Sequence, residues 1–213
     1  MFNKYLILIG RTFIATFFIV NLFNIIPINL SNNAWFTQVS MLFVDTASLL
    51  LLGLVSLKVS NLLFLKKFEN SIISDEENKN NISKENFENN LNLLNKSSKI
   101  LMFVFIFLAI LQFYTFFNGN NQINQRYILK YQDIENRYKI QKEKLNKDIT
   151  NNMQDSFKDN KLETLNSKRN IYEKNLNKDV SMLRFLLLKV NIKVFLMSLI
   201  WAYGLYKLHK FNI

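Results

Sequence analysis

The stretch 33–54, "NAWFTQVSMLFVDTASLLLLGL", is apolar almost throughout, yet it carries Asp45. Its length and composition read as a helix crossing a bilayer. An ionised carboxylate at membrane depth is costly, so Asp45 should reach an interface or face protein. Thr46 and Ser48 follow closely and can share hydrogen bonds with it or with the backbone. A proton relay is the weaker reading, because no His, Glu or second Asp lies near it in the sequence.

The rest of the chain repeats this segregation of apolar and charged residues. About half of its 213 residues are hydrophobic, and its formal net charge is +11. The apolar residues are clumped into long runs with the charges between them, which marks an integral membrane protein of the all-α class. The expected architecture is four transmembrane helices with a polar helical hairpin or coiled coil between helices 3 and 4.

The N-terminal hairpin covers 1–65, with helices at about 12–30 and 38–65. Residues 12–44 hold no charge, and only Pro27 and the polar patch 29–33 interrupt them. The run is too long for a signal peptide's apolar core, and no small-residue cleavage pattern follows, so a retained span is expected. Residues 66–99 form a charge-balanced linker rich in Asn, Ser, Glu and Lys, expected to be partly disordered or a loose helix. Segment three, 100–117, is "ILMFVFIFLAILQFYTFF". Segment four and a basic tail occupy 184–213, with Trp201, Tyr203 and Tyr206 suited to a membrane interface.

Residues 118–183 contain no Pro, and their one Gly is Gly119. Tyr131, Ile134, Tyr138 and Leu145 recur at helical steps, and Leu162, Leu165, Tyr172, Leu176 and Leu183 form a second series. Each series makes a stripe ringed by Lys and Glu. The Asn- and Asp-rich 151–160 between them reads as a turn. An antiparallel hairpin follows, or else one long kinked helix that oligomerises. The seam is weak, since Gln141 and Asp148 occupy seam positions. Tyr131, Ile134, Tyr138, Leu145, Leu165, Tyr172 and Leu176 are the expected seam residues.

Lys4 and Arg11 precede segment one. Lys66, Lys67, Lys96 and Lys99 flank the linker, and Lys207 and Lys210 close segment four. Basic residues flanking spans collect on the cytoplasmic side. Both termini and the linker are therefore expected there, with 118–183 on the opposite side. Arg184, Lys189 and Lys193 crowd the outer end of segment four against that trend. Arg11 then lies a full span from Asp45, so the two cannot pair within one chain. Asp45, Arg11 and Trp35 are the candidate contacts with another helix or a partner.

The basic excess flanks apolar runs and so points to lipid headgroups rather than nucleic acid, and no nucleic-acid-binding motif accompanies it. There is no Cys, hence no disulfide or thiol chemistry. The one histidine, His209, stands among lysines and reads as a headgroup-level residue. No phosphate-binding loop, dinucleotide turn, zinc-helix motif, nucleophile elbow or paired acids at catalytic spacing occur. No catalytic, cofactor-binding or metal-binding residue is expected, and the chain does not read as an enzyme.

Two stretches resemble a known family. Residues 29–57 carry Asn33-Ala34-Trp35 in a short loop after an apolar helix, then a helix ending in Leu51-Leu52-Gly53-Leu54. Residues 182–211 carry an Arg- and Leu-containing approach, a Lys-bearing start and a Trp-containing final helix followed by basic residues. Both patterns resemble the cyanobacterial HpsJ-like membrane proteins. Asn32-Asn33 departs from the Pro often found there, and the helical region before the last span is Asn/Lys-rich rather than Gln-rich. The resemblance implies a non-catalytic accessory or scaffold protein linked to envelope polysaccharide secretion, in the plasma or thylakoid membrane. Its expected partners are the bilayer and, through 118–183, other membrane proteins or a second copy. The alternatives are an accessory subunit of a thylakoid photosynthetic complex and a small transporter or channel subunit using Asp45 and Arg11.

Overall fold

The computed structural model describes residues 2–26, 28, 33–71, 77–149 and 155–211. It is all helical. Four helices follow one another: α1 (Phe2–Ile25), α2 (Asn33–Ser71), α3 (Glu77–Ile149) and α4 (Asp155–Lys210). All four are long and apolar enough to cross a membrane.

The helices outrun the apolar segments that seed them. Segment three is the middle of the 73-residue α3, and segment four the end of the 56-residue α4. The physical reason is the lack of breakers. No proline follows Pro27, and Gly119 is the one glycine between Gly53 and Gly204. Nothing in the backbone therefore stops a helix where its environment changes. α1 ends at Ile25, two residues before Pro27, because a residue that precedes proline is driven out of the helical region. The helix also begins at Phe2, ten residues ahead of the expected start at 12.

In the linker 66–99 the described residues take the helical one of the two expected forms. α2 continues to Ser71 and α3 already begins at Glu77, so the segment is helical on both sides of 72–76, which lie outside the described residues. Phe87, Leu91, Leu94 and Ser98 recur at steps of four, three and four, and none of them is fully exposed. Phe87 stacks on Phe64 of α2 with ring centroids 3.8 Å apart. A polar segment with one such stripe has a surface to lean on, and its Asn-rich composition does not prevent a helix.

The chain divides into two compact units. Unit 1 comprises Met1–Thr115 and Val190–Ile213; unit 2 comprises Phe116–Lys189. In unit 1, Phe17, Val44, Leu50, Phe105, Val194 and Leu205 share one buried core drawn from all four helices. Phe17 meets Phe43 edge-on at 5.1 Å, and Phe43 meets Phe105 at 5.5 Å, tying α1, α2 and α3 together. α1 and α2 approach closely at two glycines. A Cβ on Gly10 would stand 2.9 Å from the Gly53 carbonyl oxygen, and one on Gly53 would stand 2.7 Å from Ile14 Cγ1. Small residues at a crossing let two backbones touch, a recurrent device between helices in lipid.

Unit 2 is the expected antiparallel hairpin. Residue 135 pairs with 169, 138 with 166 and 124 with 184, as two arms running in opposite directions require. Of the predicted turn at 151–160, residues 151–154 lie outside the described residues, and 155–160 already belong to α4, so the turn is shorter than expected on that side.

Candidate functional sites

Unit 1 has its polarity reversed. Ser40, Lys58, Ser60, Gln112, Thr115, Asn191 and Ser198 are buried, while Leu8, Phe23, Phe103, Phe107, Phe113 and Ile200 are exposed. A water-soluble bundle does the opposite. This arrangement is compatible with a protein whose outer surface meets hydrocarbon and whose polar groups satisfy one another inside.

The buried polar groups gather at two levels. At one level, Lys58 of α2 is only 1 % exposed. Its ammonium group donates to Asn95 Oδ1 at 2.7 Å, to the Leu208 carbonyl at 2.5 Å and to the His209 carbonyl at 3.5 Å. Leu208 and His209 belong to the last turn of α4, whose carbonyls have no acceptor role left within the helix. Lys58 therefore caps the end of a neighbouring helix, and its charge sits at the negative pole of that helix. Next to it, His209 Nδ1 lies 3.1 Å from the Asn95 carbonyl oxygen, and Ser60 donates to the Asn3 carbonyl at 3.2 Å.

At the other level stands the pair that answers the question of Asp45. Lys193 Nζ lies 2.9 Å from Asp45 Oδ1 and 3.0 Å from Oδ2. The two side chains are 43 % and 40 % exposed, so the pair lies on the flank of the unit and not in its core. Beside it Asn21 donates to Thr46 Oγ1 at 2.9 Å, Thr115 donates to Asn191 Oδ1 at 2.8 Å, and Trp201 Nε1 donates to the Val44 carbonyl at 2.9 Å. Thirteen residues of α2 separate Asp45 from Lys58, about 20 Å at the helical rise. Sixteen residues of α4 separate Lys193 from His209, about 24 Å. Both spacings are shorter than the ~30 Å hydrocarbon core of a bilayer, by about a third and about a fifth.

Among the other residues singled out in the sequence, Arg11 is exposed and forms no ion pair among the described residues. Trp35 is half-buried near the start of α2. Lys193 was visible as a charge crowding one end of segment four, and that crowding was the available signal for the pair. The full burial of Lys58 has no signal in the sequence, because its acceptors come from α3 and α4.

The second candidate site is in unit 2. Arg169 bridges the arms: its guanidinium pairs with Glu135 of α3 and, at 3.1 Å, with Glu173 one turn on in α4. The same group lies over the Tyr138 ring, 5.1 Å from its centroid, and Tyr138 Oη donates to Asn166 Oδ1 at 2.7 Å. At one end of the arms Arg184 donates to Asn124 at 2.5 Å. Leu145, Leu176 and Val180 are buried, and Ile134, Tyr131, Tyr138 and Leu165 are half-buried. Tyr172 departs from the expected seam, being 61 % exposed. It lines a groove of about 490 Å³ between the arms. Ile134, Leu165 and Leu176 supply apolar walls to the same groove, and Lys130, Arg137 and Lys168 supply positive charge. Asp133 is the lining acid, and it is held by Arg137 at 3.0 Å.

The described residues contain no group of three or more His, Cys, Asp or Glu able to hold a metal ion. Comparison with family models, with curated proteins and with solved structures gives no match to this chain.

Proposed function

We propose that the chain is a non-catalytic accessory or scaffold protein of a cell membrane, anchored by unit 1 and offering its 118–183 hairpin to other membrane proteins. The observation that carries this reading is the contrast within one chain. Unit 1 turns apolar side chains outward, while the described residues of unit 2 within 130–170 turn mostly charged and polar side chains outward around a groove between arms joined by Arg169. The first surface suits lipid, and the second suits a polar, protein-binding surface in water. The resemblance of 29–57 and 182–211 to HpsJ-like proteins makes envelope polysaccharide secretion in a cyanobacterial membrane the process we assign to it. Both termini lie in the cytoplasm and the hairpin on the opposite side, a reading that rests on the basic residues flanking the spans.

Crosslinking in intact cells, followed by extraction in mild detergent, tests the scaffold role. A defined partner should copurify, and recovery of the chain alone would sink the proposal. The orientation has its own test, since the chain lacks cysteine and a single introduced thiol is unique. Ser167 is exposed in the hairpin. A Ser167→Cys variant should react with a membrane-impermeant reagent before lysis; reaction only after lysis would invert the topology.

A further inference from the structure

We infer that the hairpin groove receives one amphipathic helix of a partner protein, apolar on its inner face and acidic along its flanks; this rests on the docking role proposed above. The groove runs from Lys130 to Gln141 along α3, about 17 Å at the helical rise, or three turns of a bound helix. Its walls include Ile134 and Leu165, half-buried and left partly uncovered by a two-helix hairpin. A third helix laid along them completes that apolar stripe. Tyr172, mostly exposed at the groove, gives the visitor an aromatic face.

Charge selects the occupant. Lys130 and Lys168 form no ion pair among the described residues, whereas Arg137 and Arg169 are engaged by acids of the hairpin itself. The two lysines are thus left for carboxylates brought by the partner. A second copy is disfavoured, because residues 116–189 carry fifteen Lys and Arg against nine Asp and Glu, and two such hairpins repel. A lipid phosphate would satisfy the lysines but leave the apolar walls unfilled.

A photoreactive amino acid at Gln141, in the groove, is compared with one at Asn136, which is exposed and outside it. Both are read in the full chain in native membranes, with the crosslinked peptide identified by mass spectrometry. The Gln141 probe should capture one peptide with apolar residues at helical spacing and flanking Asp or Glu, and the Asn136 probe should not. Lys130→Glu combined with Lys168→Glu should lower that yield about tenfold, and so should raised salt. Capture of a second copy, of lipid alone or of a peptide without flanking acids would overturn the inference. Equal capture at Asn136 would remove the groove while leaving the docking role intact. No capture at either position, together with the chain purifying alone after general crosslinking, would remove both.

Discussion

Units 1 and 2 share two helices, α3 and α4, yet they follow opposite rules. In unit 1, α3 and α4 hide Ser98, Gln112, Thr115, Asn191 and Ser198 and expose phenylalanine and leucine. In unit 2 they hide Leu145, Leu176 and Val180 and, within 130–170, expose mainly lysine, asparagine and glutamate, apolar exposure returning toward the ends of the arms at Leu129 and Phe185. Helix formation is common to both and is set by backbone continuity. What differs is the solvent that each side-chain pattern suits. Where the surroundings are hydrocarbon, burial of apolar area gives little, and cohesion comes from close packing and internal hydrogen bonds. Where they are water, a thin apolar seam and ion pairs at its margin must suffice, and such a hairpin is marginal alone.

Substitutions can break this comparison. Lys58→Met should have the largest effect. It keeps the aliphatic stem but removes the donor to the half-buried Asn95 Oδ1 and leaves the Leu208 carbonyl with the Phe211 N–H alone, at 3.3 Å, costing about 2 kcal/mol. Both tryptophans, Trp35 and Trp201, lie in unit 1, so indole fluorescence during unfolding in mild detergent reports on that unit alone. Unchanged stability there would mean that the cap contributes nothing. Gly53→Ala comes next. The new methyl must push Ile14 and the α1 backbone away, for about 2 kcal/mol by the same fluorescence measurement.

Asp45→Asn should cost about 1 kcal/mol, because it leaves Lys193 charged on an apolar flank. Exchanging the two residues, Asp45→Lys with Lys193→Asp, should restore most of the loss. A swap that behaves no better than the single variant would show the pair to be incidental. The smallest effect belongs to unit 2. Arg169→Ala should speed hydrogen exchange across 130–176 by about fivefold, and high salt should shrink the difference. A unit 1 variant as sensitive to salt as Arg169→Ala would erase the distinction between the two regions.

Much of this division can be read in the sequence, because depth along a helix follows from composition. The four apolar segments, the antiparallel hairpin and most of its seam come from runs and 3.6-residue periodicity. Rotation about the helix axis is another matter. Depth alone separates Asp45 from Arg11 and brings Lys193 near the level of Asp45. Whether Asp45 and Lys193 face one another depends on how α2 and α4 are turned, and helices apolar all round do not encode that. A lysine beside an apolar run looks the same whether it reaches headgroups or, like Lys58, caps a helix 150 residues later. Tyr172 keeps helical step with Leu165 and Leu176, but its ring lies at the groove and not in the seam. The helical linker escapes composition because three widely spaced anchors, Phe87, Leu91 and Leu94, suffice to hold it.

The cap on α4 also sets an order of assembly. Lys58 is synthesised long before Leu208 and His209, the carbonyls that receive it. Until those last turns arrive, α2 carries a cation that the finished unit buries, and the growing chain offers it Asn95 Oδ1 but no helix terminus. An intermediate of three helices must keep Lys58 in contact with water or headgroups, and so cannot close into its final packing. Arrival of the α4 terminus then acts as a latch. A chain interrupted before Leu208 would leave Lys58 with Asn95 Oδ1 as its remaining acceptor of the three, in an otherwise apolar stretch of α2.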